Sequence, residues 1–166
     1  MRMIAVFLCL RALALGASAE AASALSPNDV IGTWRLLSNV REDVETGKKE
    51  DNLGAHPSGV LILTPDHRFM IVEVAEGRKA SDTTEGLAAL QKSMLAYTGV
   101  FTLSPDPQGL KMVNHVEISS NEAWTGTDQV RFLSMEGDRL VIKTPPIKNA
   151  FTGRPAVSTL LWQRSK

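Results

Sequence analysis

From Gly32 onward the chain alternates apolar and polar residues in short runs, and clusters of Gly, Pro and Asp separate one run from the next. A period of two places successive side chains on opposite faces of a strand, so each run reads as a half-buried β-strand. In the first run, residues 32–41, Trp34, Leu36, Ser38 and Val40 fall on one face and Arg35, Asn39 and Arg41 on the other. The later runs are 59–64, 69–74, 97–103, 110–119, 127–135, 139–144 and 157–164, which makes eight. Pro65 and Asp66 favour a turn between the second and third, and the separators at 104–109 and 136–138 carry Pro, Asp and Gly at turn positions.

One segment departs from this rhythm. Between residues 81 and 96, Leu87, Leu90 and Met94 recur at spacings of three and four, which predicts a short helix between the third and fourth strands. Asp82 followed by Glu85 resembles a capping box at its start. Such a helix is expected to cover one barrel mouth.

Eight antiparallel strands form either a closed up-and-down barrel or a sandwich. The mostly short connections favour neighbours pairing in sequence, with the last strand closing on the first. The expectation is therefore an all-β single domain, a barrel over residues 25–166, whose interior is either filled by side chains or holds one small ligand.

The first 24 residues read differently: a basic start at Met1-Arg2-Met3, an apolar stretch from Ile4 to Ala17, then small residues with Ala17-Ser18-Ala19 and Ala22-Ser23-Ala24. That profile predicts a signal peptide cleaved after Ala24 and a periplasmic or secreted destination. The apolar stretch is too short to span a bilayer and Arg11 interrupts it, so no integral membrane span is expected in the mature chain. Losing Arg2, Arg11 and Glu20 takes the basic and acidic counts from 18 each to 16 and 17, a net charge of −1. Without a basic field or a Lys/Arg run, nucleic acid is not an expected partner. Cys9 is the only cysteine and leaves with the leader, which removes disulfides and thiolate chemistry from the mature protein.

Several short motifs then carry a resemblance. Gly32-Thr33-Trp34 near the start and Arg164 near the end resemble the lipocalin arrangement in which a Trp closes the barrel floor beneath an Arg. Between them, in order, stand Tyr97-Thr98-Gly99-Val100-Phe101, Asn114-His115-Val116-Glu117, Trp124-Thr125-Gly126-Thr127-Asp128-Gln129-Val130-Arg131, Thr144-Pro145-Pro146 and Leu161-Trp162-Gln163-Arg164. Together these resemble the bacterial lipocalin-like domain family over about Val30 to Arg164. The resemblance implies a small barrel binding an apolar or polyketide-type molecule. The chain departs from typical lipocalins in the place of its helix, which they carry after the last strand, and in lacking a disulfide.

Strand faces nominate the candidate site. On 110–119, Leu110, Met112, Asn114, Val116 and Ile118 take the apolar parity and are expected inside, with Lys111, His115 and Glu117 outside. On 127–135, Gln129 and Arg131 share a parity with Leu133 and Met135, although Val130 and Phe132 compete for the other. If the first set faces inward, Arg131 needs an anionic or carbonyl partner, because a buried guanidinium is costly unless paired. The partner is a ligand carboxylate, which the planar donor fork suits, or an internal carboxylate of the protein; on the other parity Arg131 is a surface residue. Tyr97 offers a phenolic donor to a ligand or to the backbone, and Trp124, beside Gly126, gates a mouth or packs over the barrel end. The candidate ligand-binding set is thus Arg131, Gln129, Asn114, Tyr97 and Trp124, while Trp34, Arg164 and Trp162 are assigned to floor and packing.

No zincin, P-loop, nucleophile-elbow or dinucleotide motif is present, so no cofactor is expected and no catalytic residue is assigned. His56 and His67 fall in predicted loops and His115 on an outward parity, a poor basis for a metal site. Three readings remain open: an exported carrier of a small apolar or acidic molecule, a barrel isomerase or cyclase acting by proton transfer through Tyr97, Asn114 and Arg131, and an envelope interaction module with a filled barrel. Oligomeric state is not readable from the pattern.

Overall fold

A computed structural model describes residues 25–148 and 153–165. The leader read over residues 1–24 lies outside them. In chain order the elements are α1 (Pro27–Val30), β1 (Gly32–Asp43), β2 (Lys49–Asp51), β3 (Ser58–Leu63), β4 (Arg68–Val74), α2 (Thr84–Lys92), β5 (Met94–Asp106), β6 (Gly109–Ser119), a 3-10 turn (Glu122–Trp124), β7 (Asp128–Glu136), β8 (Arg139–Lys143), β9 (Ile147–Lys148) and β10 (Pro155–Arg164).

The sheet order is β2-β1-β3-β4-β5-β6-β7-β8-β10-β9, and β1 also pairs with β10. That last pairing closes eight antiparallel strands into a barrel, with β2 and β9 as short additions that the alternation does not predict. Closure removes the free sheet edges through which strands aggregate. The β1 strand is shared in sequence: Gly32 to Arg35 pair with β3, and Val40 to Glu42 pair with β2.

The core follows the strand period. Phe69 and Ile71 on β4, Tyr97 and Phe101 on β5, Leu110, Met112 and Val116 on β6, Leu133 on β7 and Trp162 on β10 are all buried inside one cluster. Gly99 is required where β5 meets β6, because a Cβ there would collide with the His115 carbonyl oxygen.

Two bulges change which residues face in. Leu36 pairs with Trp162 but Ser38 with Leu161, so Leu37 is an extra residue in β1. An inserted residue reverses the parity of everything beyond it. Asn39 and Arg41 therefore turn into the barrel, and Ser38 and Val40, expected on the Trp34 face, turn away from it. On β6, Val116 pairs with Gly99 and Ile118 with Thr98, which leaves Glu117 as the extra residue. Ile118, expected inside, is consequently 68% exposed.

One end of the barrel is plugged. Trp34 is fully buried and its indole Nε1 donates to the Val30 carbonyl at 2.9 Å, while Arg164 lies over the Trp34 ring at 4.1 Å and donates to the Ile31 carbonyl at 2.8 Å. The short α1 turn thus serves as the acceptor surface for both floor residues. Helix α2 is capped by Thr83, whose side chain accepts from the Gly86 N–H at 3.1 Å, and not by Asp82. It carries no buried residue and none of its residues lines the cavity described below, so it does not seal a ligand chamber.

Candidate functional site

At the end opposite the floor the barrel opens into a cavity of about 340 Å³. This lies within the range of small-molecule sites, near its lower limit. Its wall is built from the mouth ends of the strands: Asn39 and Arg41 from β1, Glu73 from β4, Leu95 and Tyr97 from β5, Arg131 from β7, and Ala156, Ser158 and Leu160 from β10. Trp124 at the end of the 3-10 turn, Ile147 and Lys148 of β9, and the polar residues Asn52, Asn121 and Thr144 complete the lining.

Arg131 enters the interior as its parity predicts and is 4% exposed. Its guanidinium donates to the Val130 carbonyl at 2.8 Å and to the Tyr97 hydroxyl at 3.3 Å. Its Cζ lies 5.7 Å from the centroid of the Trp124 ring, which stands edge-on to Tyr97 at 5.2 Å. Phe69 makes a second edge contact with Tyr97 at 5.5 Å. Trp124, Tyr97 and Arg131 therefore brace one another, and the cation gains attraction from the ring face. No carboxylate lies within ion-pairing distance of Arg131 among the described residues.

Across the same cavity stands a pair that strand alternation does not nominate. Asn39 and Glu73 are 5% and 3% exposed, and Asn39 Nδ2 donates to Glu73 Oε2 at 2.9 Å. Burial pushes the Glu73 carboxyl up to about 7, against the opposing pull of the Asn39 hydrogen bond and the Arg131 charge. Burial likewise raises the Tyr97 phenol, with Arg131 opposing. Glu73 and Tyr97 are diagonal neighbours on one face, since Ile71 pairs with Tyr97 and Glu73 with Leu95.

Two of the nominated residues lie elsewhere. Asn114 faces inward and is fully buried between Phe101 and Gln129, but it does not line the cavity, and neither of its amide atoms has a protein partner among the described residues. Gln129 is half-buried and spends its amide on the Thr127 hydroxyl at 2.9 Å, again off the cavity. His115 is exposed and paired with Asp128 at 3.0 Å, as its outward parity predicts.

Residues 31–165 match the model of the lipocalin-like domain family. The chain belongs to that family. It is similar to the 4'-hydroxy-3'-methoxypropiophenone carrier protein of Aspergillus oryzae, with 35% identity over 86 residues, covering 49% of this chain and 70% of that protein. As a lipocalin-like barrel it keeps a plugged floor and an open, lined upper end.

Proposed function

We propose that this lipocalin-like protein is an exported carrier that holds one small, largely apolar or acidic molecule in the upper cavity, with Arg131 and Tyr97 gripping its acceptor oxygen. The observation that carries this reading is Arg131: a cation 4% exposed, lining the cavity, that feels the Glu73 charge but forms no ion pair with a carboxylate among the described residues. A buried charge is costly until it is paired, so a carboxylate, phenolate or carbonyl oxygen entering the cavity meets a partner already in place. Tyr97 accepts from Arg131, which leaves its own O–H for the same oxygen. The carrier name of the Aspergillus relative supports the same class, because an aryl ketone offers a flat ring for Leu95, Leu160 and Trp124 and a carbonyl for Arg131. A barrel that serves only as an interaction module has no need of this lined opening.

Two measurements test the reading. Native mass spectrometry of the protein isolated gently from its own host is expected to show a chain beginning at Leu25 with a discrete small molecule attached that is lost on denaturation. A chain that retains residues 1–24 overturns export, and a bare barrel under all growth conditions overturns carriage. In titrations with propiophenone and benzoate, Arg131→Ala is expected to weaken binding by about tenfold or more, the order of one charge-assisted hydrogen bond, while circular dichroism stays barrel-like. Unchanged affinity removes Arg131 from the site.

A further inference from the structure

We propose that the Asn39–Glu73 pair is a second, hydroxyl-reading pole of the cavity, so that the preferred ligands carry a donor O–H as well as the acceptor oxygen that Arg131 and Tyr97 hold; this rests on the carrier reading above. The pair lies on β1 and β4, and both side chains reach the cavity. Asn39 Oδ1 is buried and has no protein partner among the described residues. The hydrogen bond from Asn39 engages Oε2 of Glu73, so Oε1 remains for a second donor. The pair thus leaves Asn39 Oδ1 and Glu73 Oε1 as acceptors with no protein donor among the described residues.

A buried acceptor without a donor is destabilising, and a ligand hydroxyl relieves that cost only if it reaches the pair. Sites built in this way reject the analogue that lacks the hydroxyl, because binding it leaves the acceptors unpaired. The cations near the cavity are Arg131, Lys148 and Arg41, and Arg41 already stands 3.8 Å from Glu50. None of them forms an ion pair with Glu73 among the described residues. With its carboxyl held at about 7, Glu73 is partly ionised near neutral pH and accepts from a neutral hydroxyl, whereas it repels a second anionic group. The ligand class that satisfies both poles is a neutral, hydroxyl-bearing aryl carbonyl compound, with the ring against the apolar wall and one polar group at each pole.

The test uses propiophenone and its 3'- and 4'-hydroxy derivatives, titrated by calorimetry into the wild-type protein, Glu73→Met and Arg131→Ala. In the wild type the better hydroxy isomer is expected to bind about tenfold or more tighter than propiophenone. In Glu73→Met that preference should collapse towards one, and in Arg131→Ala all three ketones should weaken while the preference persists. Equal wild-type affinity for all three ketones overturns the hydroxyl pole and leaves the carrier reading standing, and needs no variant to fold. A preference that survives Glu73→Met also overturns it. If the wild type binds none of the ketones nor benzoate, the carrier reading fails and the second pole falls with it.

Discussion

Trp34→Ala is expected to lower the unfolding free energy by about 3–5 kcal/mol, the usual cost of deleting a large buried aromatic side chain. The residue is fully buried, so its removal opens a void at the narrow end of the barrel, where β1, β3 and β10 meet. Two further losses act together with the void. The Val30 carbonyl loses the indole donor that holds α1 across the floor, and Arg164 loses the ring on which its guanidinium lies. Trp162 offers an internal comparison, since it is equally buried but its Nε1 has no partner among the described residues. Trp162→Phe removes an unpaired N–H together with some volume, whereas Trp34→Phe removes a made hydrogen bond. The Trp34 replacement should therefore be the more costly of the two. Urea unfolding of the three variants at pH 7 checks this ordering. A Trp34→Ala cost below about 1 kcal/mol would show that the floor is dispensable to the barrel.

The eight barrel strands are legible in the sequence because each carries enough alternation to show its period and ends on a turn residue. Faces are harder to read than strands. The face assignment of a strand holds only while its residue count against the partner is regular, and an inserted residue such as Leu37 or Glu117 leaves no mark in composition. Asn39 therefore reads as outward and Ile118 as inward, and the structure reverses both. Glu73 escapes for a different reason. The segment from Phe69 to Val74 is apolar on both parities, with Phe69 and Ile71 on one and Met70, Val72 and Val74 on the other. The available signal is that Glu73 shares the parity of Phe69 and Ile71, the two aligned with the β5 core residues. Arg131 and Tyr97, on unbulged stretches, fall where the alternation places them. Asn114 and Gln129 also face inward, but strand parity reports only which wall a residue stands on, and neither borders the cavity. The second half of the candidate site thus becomes visible only once the bulge at Leu37 turns Asn39 inward to meet Glu73 of β4.

Glu73→Gln is expected to stabilise the protein by roughly 3 kcal/mol at pH 8 and to leave it unchanged near pH 4. The sign follows from where the proton sits in each state. In the unfolded chain Glu73 titrates near 4.5, and in the barrel near 7 because burial penalises its charge. Below pH 4.5 both states hold the proton and the group contributes nothing to the difference. As pH rises from 4.5 to 7 the unfolded chain sheds the proton while the barrel keeps it, so stability falls by about 1.4 kcal/mol per pH unit. Above pH 7 the penalty is constant. Glutamine keeps the acceptor that Asn39 Nδ2 uses and cannot ionise, so the variant escapes this loss. Asp43 and Asp66, held low by hydrogen bonds to Thr46 and Thr64, act in the opposite sense at acid pH, but they are common to both proteins and cancel in the comparison. Denaturant unfolding of wild type and variant at pH 4, 6 and 8 reads the difference directly, and parallel pH profiles would show that Glu73 does not carry a burial penalty. A hydroxyl-bearing ligand links this penalty to function. By donating to the ionised carboxylate it favours the charged form, lowers the folded-state titration point and restores part of the lost stability, so ligand stabilisation of the wild type should grow between pH 5 and 8 while that of Glu73→Gln stays flat.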